Sequence, residues 1–232
     1  MKTIAIITAR GGSKRIPGKN IKPFLGKPIL AYSIEAAFQS GAFDEVMVST
    51  DDEEIARIAR QYGAKVPFLR SDATSGDFAT TNDVLEEVLG EYEKCGASYD
   101  LACCLYPTAP FVTAEKLKKA MEALKASDCD ALVPVVPFSF PPKRGFTIRD
   151  GKLVYEYPEY ASVRSQDIPT SYHDAGQFYF FWVSNMKENG GFLKGKLLPF
   201  VLSEMEVQDI DNQTDWELAE CKYQLLHKKS TP

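Results

Sequence analysis

The sequence predicts an α/β fold, a mostly parallel sheet with helices on both faces and an inserted hairpin-bearing lobe at about 137–172. Three observations predict it. The runs Thr3 to Thr8, Leu101 to Leu105 and Ala131 to Val136 are nearly continuously apolar, as in strands buried on both faces, rather than alternating. Segments with apolar residues at helical spacing lie between them, as in crossover units. After Val136 the rhythm breaks into prolines, tyrosines and a hairpin signal.

Each element has a local reason. Thr3 to Thr8 is β-branched and apolar, and a glycine-rich basic loop follows it. Ile29 to Ser40 has helical spacing and stops before Gly41, a residue suited to a helix C-terminus. Glu45 to Ser49 reads as a strand. Asp51 is placed to cap the next helix, with Glu54 three residues on, and Gly63 ends that helix after about Tyr62. Lys65 to Leu69 reads as a short strand, and Thr81 to about Lys94 as a helix. Thr113 caps a helix to about Ser127, between the strands Leu101 to Leu105 and Ala131 to Val136.

Pro137, Pro141 and Pro142 then punctuate the chain, and Asp150-Gly151 signals a hairpin. An exposed aromatic insertion of this kind suits self-association; a loop packed on its own domain is the alternative. Gln177 to Val183 returns to the sheet as a strand. Thr214 with Glu217 forms a capping box that opens a terminal helix to about His227. One domain spanning 1–232, with its insertion, is the economical organisation.

Composition narrows the function. Of 232 residues, 44% are hydrophobic and 25% charged, ordinary for a soluble globular protein. No apolar run approaches the roughly 18 to 20 residues that cross a bilayer. Arg10 follows the first apolar run too soon for a secretory signal. The five cysteines contain no Cys-x-x-Cys pair, and an odd count speaks against a disulfide framework, so the chain reads as cytoplasmic and reduced. A net charge of −5 argues against nucleic-acid binding. The charge is also segregated. Arg10, Lys14, Arg15, Lys19, Lys22 and Lys27 occur without an acidic neighbour, whereas Leu197 to Cys221 has no Lys or Arg and seven carboxylates.

The basic segment runs Ala9-Arg10-Gly11-Gly12-Ser13-Lys14-Arg15-Ile16-Pro17-Gly18-Lys19-Asn20, directly after the first strand. Open α/β sheets place their ligand crevice there. Gly11 and Gly12 permit close approach of backbone amides to an anion, and the cations supply what a triphosphate requires. The spacing fits neither a P-loop, because Gly18-Lys19 is followed by Asn20, nor a dinucleotide fingerprint. At the acidic end, Asp209 and Asp211 in an extended segment share a face, about 7 Å apart at ~3.4 Å per residue. Such a pair suits Mg²⁺ beside substrate phosphates. Asp211 or Asn212 could instead cap the terminal helix, although Thr214 fits that role better.

The string from Ala9 to Asn20 resembles the signature of the cytidylyltransferases that activate 3-deoxy-2-ulosonic acids, above all the acylneuraminate group. The resemblance extends over nearly the whole chain and implies a Rossmann-like fold of the nucleotide-diphospho-sugar transferase type. It implies that Arg10 and Lys19 contact the CTP phosphates, with Asp211 completing the catalytic set. Ala9, Gly11, Gly12, Ser13 and Lys14 would form the phosphate cradle. Asn20 would read the cytosine, having both a donor and an acceptor. Thr80, Thr81 and Arg70 would lie near the cytidine, and Asp209 and Asp211 would bind Mg²⁺. The implied reaction is in-line attack of the sugar's anomeric hydroxyl on the α-phosphorus, expelling pyrophosphate, in a homodimer.

Tyr106, where acylneuraminate enzymes usually have Gln, and the stretches Arg164 to Asp167 and Tyr172 to Tyr179 most resemble members that activate pseudaminic acid, a nine-carbon relative of sialic acid. By that resemblance Tyr106, Thr108, Arg164, Gln166, His173, Asp174 and Gln177 would contact the sugar. Arg164 suits its carboxylate. Sialic acid, legionaminic acid and Kdo are alternative sugars, and a catalytically inactive nucleotide- or sugar-binding protein is the non-enzymatic alternative.

Overall fold

The structure, a computed structural model, describes residues 1–228. In chain order the elements are β1 (Thr3–Thr8), β2 (Pro23–Phe24), β3 (Lys27–Pro28), α1 (Ile29–Ser40), β4 (Glu45–Ser49), α2 (Glu53–Gln61), α3 (Asp72–Ser75), α4 (Thr81–Lys94), β5 (Leu101–Leu105) and α5 (Ala114–Lys125). There follow β6 (Ala131–Pro137), β7 (Phe146–Arg149), β8 (Lys152–Tyr155), β9 (Tyr172–Asp174), β10 (Phe178–Trp182), α6 (Val183–Asn189), β11 (Leu197–Val201) and α7 (Gln213–Lys228).

The main sheet has the order β11-β6-β10-β5-β1-β4, with β9 also paired to β6. β1 runs parallel to β4 and β5, β11 runs parallel to β6, and β10 is antiparallel to both neighbours. Alternate residues feed two apolar layers. Ala5, Ile7, Cys103, Leu105 and Phe180 meet α1, α2 and α5 through Leu30, Ile34, Ala56 and Leu117. Ile4, Ile6, Ala102, Cys104 and Phe181 meet α4 and α6 through Leu85, Val88 and Met186. Helices thus cover both faces, which is why β1 and β5 carry apolar residues at every position rather than every second one. A third cluster, including Phe24, Tyr32, Ile210 and Trp216, seals α7 onto the segment after β1.

Three local expectations are corrected. Asp52, not Asp51, caps α2, its side chain accepting from the amides of Glu54 and Ile55; Asp51 instead accepts from the Gly11 amide at 2.8 Å. Lys65 to Leu69 is not a strand but a single bridge from Lys65 to Met47. Pro67 lacks the donor that a longer ladder needs. Asn212, not Thr214, caps α7: its Oδ1 accepts from the Asp215 amide, and Asp215 Oδ2 accepts from the Asn212 amide, both at 3.0 Å. Thr214 lies inside the first turn.

The insertion contains the predicted hairpin. β7 and β8 pair only with each other, and Asp150 and Gly151 at the turn have φ of 51° and 72°, the left-handed geometry of a tight hairpin. No helix among the described residues is long and apolar enough to cross a membrane.

Candidate active site

The carboxyl ends of β1, β4, β5 and β6 share one edge of the sheet, so the loops after them converge there. The loop after β1 is fastened by its own backbone. The Ala9 amide donates to Ser49 O at 2.9 Å, and Asn20 Nδ2 donates to Arg10 O at 2.8 Å. Gly11 is required sterically, since a Cβ there would meet Asp52 Cβ at 2.9 Å. Gly18 adopts φ 63° to turn the chain into Lys19, a conformation that costs glycine little.

A cavity of about 540 Å³ opens over this loop. Arg10, Ser13, Lys14, Arg15, Lys19 and Asn20 line it, with Arg70, Thr80, Thr81, Tyr106, Thr108 and Asp211. Ala9, Gly11 and Gly12 are not among the lining residues; Ala9 is buried, Gly12 is exposed, and the Gly11 amide is engaged by Asp51. Thr80 caps α4 in a reciprocal box with Asp83, which aims the start of that helix at the cavity. Arg70 is buried, with its guanidinium donating to Ser49 O at 2.8 Å and Ser49 Oγ at 3.1 Å. Burial lowers its pKa, opposed by the nearby charges of Asp51 and Glu87.

The two ends of the chain meet in this cavity. Arg15 pairs with Asp211 at 2.8 Å, and Lys19 Nζ donates to Ile210 O at 2.7 Å and lies 3.9 Å from the Asp211 carboxylate. Burial pushes the Lys19 ammonium below its usual pKa, while Asp211 and Asp209 pull it up. The backbone amides of Asp211 and Asn212 donate to Asp215, which fixes the backbone that carries the Asp211 carboxylate into the cavity.

A second cavity of about 570 Å³ adjoins, and Tyr106 lines both. His173, Asp174, Tyr179, Asp209 and Lys222 are among its walls. Tyr179, 2% exposed, donates its hydroxyl to Asp174 Oδ1 at 2.8 Å. His173 donates from Nδ1 to Asp174 O at 2.9 Å and lies against the Phe138 ring. The acidic pair therefore straddles the two cavities, Asp211 in one and Asp209 in the other, with buried Ile210 between them. Burial, and then the charge of Asp211, raise the Asp209 pKa. Among the described residues no three His, Cys, Asp or Glu side chains gather as a metal cage. Two coupled carboxylates without a cage fit a hard cation that takes its other ligands from phosphate and water.

Arg164, Gln166 and Gln177 line neither cavity. Arg164 is exposed and paired with Asp167 at 2.6 Å, and Gln177 is buried directly after Ala175 and Gly176 of the second cavity's lining. Several lining or supporting residues carried no sequence signal strong enough to single them out. Asp77 is an isolated carboxylate in a loop, and Asp51 opens the run Asp51-Asp52-Glu53-Glu54, which signals a helix start rather than a site; Lys222, by contrast, is the first base after the long acidic stretch. Cys103 and Cys104 are fully buried, and burial pushes the Cys104 thiol up to about 12, so neither offers a thiolate.

A sheet edge bearing a basic glycine loop opposite an Asp-x-Asp segment has the layout of a nucleotidyltransferase. A family model described as cytidylyltransferase matches residues 4–228, and the chain belongs to that family of nucleotidyltransferases. It is 42% identical to the pseudaminic acid cytidylyltransferase of Campylobacter jejuni, over 99% of this chain and 100% of that one. It is 35% identical to the CMP-N,N'-diacetyllegionaminic acid synthase of Legionella pneumophila, over 95% of each. The fold matches that of CMP:2-keto-3-deoxy-manno-octonic acid synthetase complexed with CTP, with a TM-score of 0.71, 17% identity, and coverage of 99% and 100%.

Proposed function

We propose that the protein joins pseudaminic acid to CMP, using CTP and releasing pyrophosphate. The observation that carries this reading is the meeting of Arg15, Lys19 and Asp211 in one cavity that adjoins a second at Tyr106. Full-length similarity to the Campylobacter jejuni enzyme supports this sugar, and the Legionella pneumophila relative supports the nonulosonic acid class.

The nucleotide occupies the first cavity. Arg10, Lys14, Arg15 and Lys19 face its phosphates, Asn20 offers donor and acceptor to the pyrimidine edge, and Thr80, Thr81 and Arg70 flank the nucleoside. The sugar occupies the second, where Asp174 and His173 read its hydroxyl or amide groups and Tyr106 forms the shared wall. The anomeric oxygen attacks the α-phosphorus as the bond to the β-phosphate oxygen breaks; pyrophosphate leaves with the electron pair and the hydroxyl proton passes to solvent. Both reactants are anions, so the fixed cations lower the barrier by stabilising charge that builds on the phosphoryl oxygens. Asp209 and Asp211 would hold Mg²⁺, which when bound supplies further positive charge to those oxygens. Arg164, outside both cavities of its own chain, is a carboxylate partner only in a dimer built on the insertion. Use of CTP and five unpaired thiols fit work in the cytoplasm.

The test is pyrophosphate release with CTP and Mg²⁺ and each sugar in turn. Turnover with pseudaminic acid at least tenfold above the others is expected. Turnover with N-acetylneuraminic or legionaminic acid alone would reassign the sugar, and none with any of them would remove the enzymatic reading.

A further inference from the structure

The segment from Glu204 to Asp211 has no sheet or α-helix to hold it. Only a short 3₁₀ turn, Glu204–Glu206, precedes the extended stretch that bears both aspartates. Its backbone carbonyls are instead held by side chains from distant elements. Gln177 Nε2 donates to Glu206 O at 2.6 Å. Lys222, on α7, donates from Nζ to Val207 O at 2.8 Å and to Glu204 O at 3.2 Å. Lys19 takes Ile210 O, and Lys116 pairs with the Glu206 carboxylate at 2.9 Å.

Gln177 has the most constrained place of these. It ends a bulge: the β6–β9 register pairs Val135 with Asp174, while the β6–β10 register pairs Leu132 with Phe180, so six residues advance against three. Gly176, at φ 62°, makes the turn that drives the Gln177 side chain inward, where it is 1% exposed. Its backbone O accepts from the Tyr106 amide at 2.8 Å. Its Oε1 is buried without a partner among the described residues, so the amide's one side-chain tie is to Glu206. A carbonyl can face only the amide nitrogen, which fixes the orientation of the group. One residue thus links the wall shared by both cavities to the strip that carries both carboxylates.

We infer that Gln177, assisted by Lys222, is a positioning residue that sets where Asp209 and Asp211 present their carboxylates, rather than a contact to the sugar. This rests on the reading above that those carboxylates hold the cation. Residues that orient metal ligands, without touching the metal, change its affinity by about 10- to 100-fold when altered. Gln177→Leu keeps the bulk and removes the donor.

The test uses Mn²⁺ as the probe, with free Mn²⁺ measured by electron paramagnetic resonance on the full chain in the presence of CTP. Gln177→Leu should bind Mn²⁺ about tenfold more weakly than wild type. The Mg²⁺ concentration for half-maximal turnover should rise by a similar factor, with kcat at saturating Mg²⁺ and KM for the sugar within about twofold. Lys222→Met, at a partly buried site, keeps the length of the side chain and should shift Mn²⁺ affinity in the same direction by about threefold. Unchanged Mn²⁺ affinity with a raised sugar KM in Gln177→Leu would overturn the inference and make Gln177 a sugar contact. If that variant does not fold, unchanged affinity in Lys222→Met overturns it equally. A wild type that binds no Mn²⁺ removes the metal assignment itself, whereas tight wild-type binding matched by both variants removes only the positioning role.

Discussion

Asp211 is shared by Arg15 and Lys19, and its carboxylate is only partly shielded from solvent. Asp211→Asn should therefore leave folding nearly intact while reducing pyrophosphate release by about 100-fold or more, since the loss falls on charge stabilisation at the reacting phosphorus. A steady-state assay beside a thermal melt separates the two; full activity would remove the residue from the machinery. Asp77 has the opposite relation to the nucleotide. It pairs with Arg10 at 3.0 Å and with Lys14, neutralising two of the cations that line the first cavity. A triphosphate must displace it. Exposed pairs of this kind are weak, so Asp77→Asn should tighten CTP binding by only about threefold in calorimetry, and weaker binding would show that Asp77 helps to hold the nucleotide.

Among the elements, α4 shows how a cap serves a site. Its capping box holds Thr80 and Thr81 at the cavity, and the Asp83 carboxyl lies below its ordinary pKa because it accepts first from the Thr80 amide and then from the Thr80 hydroxyl. A depressed folded-state pKa adds stability above the unfolded value, near 4, and that stability is lost as pH falls through the folded value. Asp83→Asn should thus lower the urea midpoint at pH 7, with the gap to wild type closing below about pH 4. A gap that persists at low pH would assign the loss to packing instead. The same reasoning explains the misplaced caps at α2 and α7. Candidates one or two residues apart, Asp51 with Asp52 and Asn212 with Thr214, offer similar chemistry. The choice between them was made by what the other residue was needed for, Asp51 by the Gly11 amide, and by where Gln213 had to enter the helix.

At the scale of the molecule, the insertion is the feature least explained by one copy of the chain. Ile148 pairs with Leu153 and Phe146 with Tyr155, so these four share one face of the β7–β8 hairpin. Ile148 is 77% and Leu153 69% exposed. A two-stranded hairpin is marginal by itself in water, and an apolar face of this size on it calls for a cover. A second copy is the proposed cover. Sedimentation velocity should give a dimer for the wild type and a monomer for the Ile148→Glu, Leu153→Glu double variant; a wild-type monomer at micromolar concentration would count against self-association and against Arg164 as a sugar ligand.

The sequence by itself determined the layered sheet, because runs such as Leu101 to Leu105 can be buried only between two helical layers, and it determined the charge of both site segments, six cations without a counter-charge in one and an Asp-x-Asp strip in the other. It did not determine that Lys19 and Asp211 would meet, 192 residues apart, or that Asp209 and Asp211 would open onto different cavities. Those facts follow from α7 docking through Trp216 onto Phe24 and from buried Ile210 between the two aspartates. Nor did it show that Gln177 is buried: a three-residue bulge reverses which way a side chain points, and bulges are set by the register of two strands rather than by the residues of one. Local patterns fix what each segment is made to do; only packing between segments fixes which of their groups end up within reach of one another.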